Sequence, residues 1–317
     1  MPRKLFLLII IFYGSISAKA QLIDNVSSLR AFGNENEIRL FYENDFFSAQ
    51  DQYYSQGINL EYISPVLHKN PVNYFLVRLN STKRLYGFSI EHNVFTPSSI
   101  RHDEILYHDH PFSACFLLKS FLRTQNESEN TTVSSALSLG FIGPLAFGKQ
   151  MQTGIHTWLN NLLPLGWDHQ IRNDFVLNYQ INYERNIYHL RDIINFSYCG
   201  GLNAGTLYDN LNSGLQFKIG KFNKHSQKSK YEIFLFAKSC ASYSFYNATL
   251  RGGVFNRINE YVLEENEIEP LLLQNTIGIN IRLNKMRVEY FQSVITKEFE
   301  AGTTHRYGGI SLGYILE

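Results

Sequence analysis

The sequence predicts an all-β protein, a closed antiparallel transmembrane β-barrel of about 12 strands with a short helix inserted between strands 5 and 6. Three observations predict it. From Glu37 onward, short runs of alternating polar and apolar character follow one another, the period of two that marks strands with two unlike faces. The runs reach about ten residues or more and carry Tyr and Phe near their ends, where interfacial girdles lie. Ahead of them stands a secretory signal.

That signal occupies residues 1–20. Arg3 and Lys4 precede an apolar core from Leu5 to Tyr13, and Ala18-Lys19-Ala20 forms a small-x-small cleavage site. A barrel domain over 21–317 is therefore expected to begin at Gln21. The apolar core is too short to span a bilayer, and no later run approaches the ~20 apolar residues that a spanning helix needs. Helical membrane proteins are excluded. A soluble sandwich or a lipocalin-like barrel also alternates, but the signal and the aromatic strand ends favour the membrane. In lipid every backbone N–H and C=O must be paired, so the sheet has to close.

Composition narrows the function classes. With 29 basic against 28 acidic residues the formal charge is +1, no surplus with which to hold nucleic acid. The three cysteines, Cys115, Cys199 and Cys240, are widely spaced and odd in number. They make no metal motif, and a disulfide framework is not expected.

Taken in order, strands are expected at 38–45, 54–64, 84–95, 111–122 and 131–142. After the helical insertion they continue at 174–188, 193–206, 210–222, 231–245, 269–283, 287–299 and 306–316. The sixth shows the pattern best. Val176, Asn178, Gln180, Asn182 and Glu184 share one face, and Phe175, Leu177, Tyr179, Ile181 and Tyr183 the other. The breaks at 50–53, 95–110 and 143–170 are expected to be outward loops. The basic stretch 223–230 reads as a solvated loop, and 251–268, with Glu264, Glu265 and Glu267, as a loop without an assigned role. The last strand lacks a terminal aromatic residue, so it either stops at Tyr314 or carries an atypical insertion signal. No repeat or second domain is visible.

One stretch, 141–167, breaks the alternation. It turns at Gly143-Pro144 and continues as about five turns of helix, ended by Pro164 and Gly166. Gln152 and His156 lie four apart, on one helical face. The plain reading is a histidine that finds a hydrogen-bond partner. The functional one is a neutral imidazole presented as a general base. Asn44 and Asp45, at the end of the first strand, supply oxygen donors suited to a hard cation such as Ca2+, though such a pair is also ordinary turn chemistry. Ser55, entering the second strand, reads as nucleophile, ligand or polar lumen residue. No Gly-x-Ser-x-Gly elbow surrounds it, so a soluble hydrolase triad is not indicated.

Several motifs occur together and in a fixed order: Glu43-Asn-Asp-x-Phe, Asp51-x-Tyr-Tyr-Ser-x-Gly57, Phe95-Thr-Pro-Ser98 and Asp109-His-Pro-Phe-Ser-Ala114. Gly140-x-x-Gly-Pro144, Gln152-x-x-x-His156 and Gly166-Trp-x-x-Gln170 come next. Gly201-Leu-Asn-Ala-Gly205, Thr296-Lys-Glu-Phe299 and His305-Arg-Tyr-Gly308 complete the set. In this order they resemble the outer-membrane lipid A 3'-O-deacylases, the LpxR family. The resemblance runs through most of the mature chain and is most specific in the helical segment.

The resemblance implies a twelve-stranded bacterial outer-membrane barrel that hydrolyses the 3'-linked acyloxyacyl ester of lipid A, the membrane anchor of lipopolysaccharide, with calcium. By resemblance Asn44 and Asp45 match the cation pair, His156 the catalytic histidine and Gln152 its helical neighbour. Ser55 stands where the family usually has Thr, which keeps the hydroxyl. Asp109-His110 replaces Asp-Arg, and Arg101 and His102 occur where a lysine is expected, so neither basic role is carried over. A monomer embedded in the membrane is expected. The alternatives are an outer-membrane phospholipase, with Ser55 as nucleophile, and a non-catalytic pore or adhesin whose helix plugs the lumen.

Overall fold

The computed structural model describes residues 36–48, 52–80, 83–222 and 231–316. The signal peptide, Asp51 and the basic loop at 223–230 lie outside them. The described strands are β1 (Glu37–Asn44), β2 (Tyr53–Ile63), β3 (Lys83–Thr96), β4 (Ser113–Asn126), β5 (Thr131–Ile142) and β6 (Asp174–Leu190). They continue as β7 (Ile194–Gly205), β8 (Tyr208–Lys221), β9 (Tyr231–Asn247), β10 (Leu271–Leu283), β11 (Met286–Ile295) and β12 (His305–Ile315). Each pairs antiparallel with its neighbours in sequence. β1 meets β12 from Glu37↔Ile315 to Asn44↔Gly308, which closes the barrel. The expected runs all form strands, with ends displaced by a few residues. The last, expected at 306–316 with a stop at Tyr314 as one of two alternatives, runs to Ile315.

Alternation sorts the side chains by solvent. Leu118, Leu139 and Leu177 lie in register across β4, β5 and β6 and are exposed on the outer wall. On the inner wall of the same region sit buried Lys119, Arg123 and Gln180. Buried charge is tolerated when it is paired. Lys119 Nζ lies 2.6 Å from Glu91 Oε1, and Arg39 donates to both carboxylate oxygens of Glu37 at 2.6 and 2.8 Å. Tyr54, Phe95, Phe291 and Tyr307 form an aromatic cluster within the same interior. All three thiols are free, as their number and spacing predict.

The two barrel ends differ. At one, β4–β5, β6–β7 and β10–β11 are joined by short turns. At the other, long connections carry residues 97–112, 143–173 and 248–270. Short turns face the periplasm and long loops the exterior in such barrels. Among the described residues the connection leaving β2, followed from 64 to 80, is the exception, long and at the short-turn end.

The helical insertion is shorter than the sequence predicts. A 3-10 turn over Pro144–Ala146 precedes α1, Gly148–Trp158, which has 11 residues, about three turns. It ends well before Pro164 because Asn160 adopts a left-handed conformation, φ 55°, which asparagine tolerates better than most residues. Asn161 N donates to His156 O at 2.8 Å and closes the last turn. The chain then returns to the barrel, where Leu165 N donates to Ile100 O at 2.8 Å.

Candidate active site

Two groups of residues meet the outer wall at the long-loop end. The first grows out of β1 and β2. Asn44 closes β1, and its Oδ1 accepts from Phe46 N at 2.7 Å, a turn that starts the 3-10 segment Asp45–Ser48. Its Nδ2 donates to Ser55 O at 2.5 Å. Asp45 is buried, and its Oδ2 accepts from Gln52 N at 2.7 Å, which ties the two sides of the β1–β2 loop together.

Ser55 reaches this place through a β-bulge. The β2–β3 register slips between Tyr54 and Gln56, so Ser55 is the extra residue. Tyr54 turns inward and its hydroxyl donates to Glu43 at 2.7 Å. Ser55 Oγ lies 2.7 Å from Thr96 Oγ1. Thr96 was not among the expected site residues. The Phe95-Thr-Pro-Ser98 motif contains it, but nothing in a lone threonine at a strand end announces a hydroxyl pair.

The second group sits on α1. Gly148, its first residue, lies so close to the wall that a Cβ there would come within 2.5 Å of Ala114 Cβ and 2.7 Å of the Trp167 ring. Trp167 is buried with Val94, Ile100, Phe112, Ala114 and Ala146. Beside this cluster His92 Nε2 donates to Ala146 O at 2.7 Å. In the β3–β4 register Val94 pairs with Ala114 and His92 with Phe116, on the same face as the exposed Ile90 and Leu118. The insertion therefore packs on the lipid side of β3 and β4, outside the lumen.

Gln152 and His156 share a helical face, as expected, but do different things. Gln152 is buried, and its Oε1 accepts from Trp167 Nε1 at 2.7 Å. This bond fixes α1 to the wall. His156 is half-exposed, and its Nδ1 lies 2.5 Å from Leu162 O. A carbonyl only accepts, so Nδ1 donates its proton, and in the neutral ring Nε2 is the nitrogen that keeps a lone pair. Exposed Leu145, Phe147, Met151, Trp158, Leu159, Leu162 and Leu163 surround the helix, and Phe46 is exposed on the β1–β2 loop.

Among the described residues no hydrogen bond joins His156 to Asn44, Asp45 or Ser55. What the structure brings together is Asn44, Ser55 and Thr96 in one unit and Gln152, Trp167 and Val94 in another. Val94 and Thr96 are two residues apart on one face of β3, about 7 Å, so the two units share a stretch of wall.

Asn44, Asp45, Ser55 and Thr96 offer only oxygen donors, which suit a hard cation. Among the described residues no group of three or more His, Cys, Asp or Glu gathers as a metal site. A cation held here would complete its shell with neutral oxygens, and the donor chemistry fits calcium on those terms.

His110, where the resemblance leads to the expectation of an arginine, is buried and stacked on Phe95 with ring centroids 5.5 Å apart. Its Nδ1 donates to Pro111 O at 2.6 Å. Burial pushes its pKa down to about 4, against weaker opposing effects of the Pro111 carbonyl and the Asp109 carboxylate. It supplies no positive charge near neutral pH. Arg101 and His102 are exposed on the same loop.

A family model described as "Outer membrane protein LpxR" matches residues 5–316. Among solved structures, LpxR from Salmonella typhimurium superposes with a TM-score of 0.73 at 17% identity, over 88% of this chain and 100% of that one. The β domain of the Bordetella autotransporter BrkA is more distant, with a TM-score of 0.46 at 7% identity over 88% and 98% of the two chains. No match is found among curated proteins. The extent of the family match and the closed twelve-stranded wall together assign the chain to the outer-membrane LpxR family.

Proposed function

We propose that this protein hydrolyses the 3'-linked acyloxyacyl ester of lipid A at the outer membrane. The observation that carries the reading is His156. The Leu162 carbonyl accepts the hydrogen bond from Nδ1, so in the neutral ring Nε2 is the acceptor of a proton, and it sits on a helix packed against the lipid side of the wall. In the reaction Nε2 takes a proton from water as the water oxygen attacks the ester carbonyl. The tetrahedral intermediate then collapses, the bond between the acyl carbon and the 3'-oxygen breaks, and the proton passes to the departing 3'-oxygen. The products are a free acyloxyacyl acid and a 3'-hydroxyl.

Asn44 and Asp45 are the residues that would hold a calcium ion, with Ser55 near them. Such an ion supplies positive charge against which the developing oxyanion is stabilised. Gln152 acts through Trp167 and is a positioning residue. The exposed apolar side chains around α1 give the acyl chains a surface continuous with the bilayer.

Two features count against the alternatives. Ser55 Oγ is bonded to Thr96 and not to an imidazole, so it lacks the base that a serine nucleophile needs. The helix lies outside the barrel, where it plugs nothing. The test is mass analysis of lipid A from cells producing the full-length chain or His156→Ala, with and without chelator. Loss of the 3' chain in the first, and its retention in the second and after chelation, is expected. Equal cleavage by the variant, with its barrel folded, rules the reading out.

A further inference from the structure

The long connection at the short-turn end has no part in the site above. It leaves β2 as two consecutive 3-10 turns, Pro65–Lys69 and Pro71–Tyr74. It then runs along the outside of the barrel. Asn70 Nδ2 donates to Ser120 Oγ at 3.1 Å, and Leu79 N donates to Thr124 Oγ1 at 3.0 Å. Tyr179 Oη donates to Phe75 O at 2.8 Å and accepts from Val77 N at 2.9 Å. Ser135 Oγ donates to Val77 O at 2.7 Å.

Each of these wall residues belongs to the lipid-facing set. Ser120 pairs with Leu137 and Leu137 with Tyr179, one step along the face that carries Leu118, Leu139 and Leu177. Thr124 and Ser135 lie farther along that face and are fully buried. Polar groups on the lipid side need a partner, and the connection supplies it. It is a strap seated on the outer wall beside the periplasmic leaflet.

The strap's own outward surface is apolar and basic. Tyr74 is 85% exposed, Phe75 72% and Val66 67%. Lys69 and Arg78 are exposed with them, and residues 65–80 contain no Asp or Glu. Aromatic and aliphatic side chains interleaved with basic ones, at the short-turn end of the outer wall, match the headgroup layer. We infer that the strap is an interfacial anchor that binds anionic phospholipids of the periplasmic leaflet. Tyr74 and Phe75 enter the acyl boundary, and Lys69 and Arg78 pair with headgroup phosphates. The anchor does not depend on His156, and His156→Ala leaves it untouched.

Native mass spectrometry of the detergent-purified full chain, with phosphatidylglycerol or phosphatidylcholine added, reads the charged half. The wild type is expected to retain phosphatidylglycerol preferentially. Lys69→Gln with Arg78→Gln should weaken that retention ~5-fold or more, since one basic residue at a lipid surface is worth about that factor. The apolar half is read with Tyr74→Trp in phosphatidylglycerol/phosphatidylethanolamine vesicles containing brominated acyl chains. The introduced indole, after subtraction of the wild-type signal, should be quenched. Equal retention of both lipids by the wild type, an unchanged double variant, an unquenched indole, or a strap that cross-links to a second copy of the chain each overturns the inference.

Discussion

Trp167 Nε1 donates to Gln152 Oε1 at 2.7 Å, and both groups are buried between α1 and the barrel wall. The bond makes Gln152 a fastener of the helix. Gln152→Ala leaves a buried indole N–H without an acceptor, at a cost of about 1–3 kcal/mol. Barrel assembly, checked by heat-modifiable gel migration, should be unchanged, while α1 becomes more accessible to protease and lipid A cleavage falls. If Trp167→Phe is combined with it, the double variant should recover part of the loss, because both partners are then removed together. A Gln152 that touched substrate would show no such recovery.

Ser55 and Thr96 form a hydroxyl pair at 2.7 Å. Ser55→Ala removes one partner, yet leaves Asn44 Nδ2 bonded to the backbone carbonyl of residue 55. Cleavage of lipid A by Ser55→Ala is expected to drop ~10-fold, against the 10²–10⁴-fold that general-base loss costs in His156→Ala. Ser55→Thr retains the hydroxyl and should retain most activity. Complete inactivity of Ser55→Ala with a folded barrel would instead identify the serine as a nucleophile.

His110 gives the β3–β4 loop a pH dependence whose sign follows from burial. Its folded pKa is depressed to about 4 from the ordinary value of 6.5, so folding favours the neutral ring. The contribution is fully present above pH 6.5 and is lost as pH falls from there toward about 4. Asp109, Tyr53 and His305 are the titratable groups around the ring. Protection from hydrogen exchange across residues 97–112, taken relative to the intrinsic amide rate at each pH, should fall between pH 7 and pH 5 in the wild type. It should respond less in His110→Phe, which keeps the stack on Phe95 without the proton.

These residues also mark how far the sequence could be read. Strand order and the inside and outside of the wall were legible because alternation is a local property, and Phe175 to Tyr183 state it almost without exception. The pairing of Gln152 with His156 on one face was legible for the same reason. The helix end at Asn160 was not, since an asparagine only stops a helix when the chain beyond it has somewhere to go, here the contact of Leu165 with Ile100. The bulge at Ser55 was also invisible. It depends on Tyr54 finding Glu43 inside the lumen, a pairing of residues from two strands. The strap escaped notice because its partners, Ser120, Thr124, Ser135 and Tyr179, belong to three later strands.

Gly148 tests whether the seat of α1 on the wall matters to function. A Cβ at this residue would lie 2.5 Å from Ala114 Cβ and 2.7 Å from the Trp167 ring, and all three groups are buried. Neither neighbour is the free end of a flexible chain, so the helix itself has to move. Gly148→Val should therefore cost about 1–3 kcal/mol of docking energy and lift the Gln152–Trp167 bond out of register. The strands are hydrogen-bonded independently of the insertion, so heat-modifiability should stay that of wild type. Lipid A cleavage should fall at least as far as in Gln152→Ala, because His156 is displaced with the helix that carries it. Substituting Gly154, where a Cβ meets nothing within 4 Å, by alanine provides the control. Gly154→Ala should keep wild-type activity, and equal losses at the two glycines would show that helix composition, not the approach to the wall, was responsible.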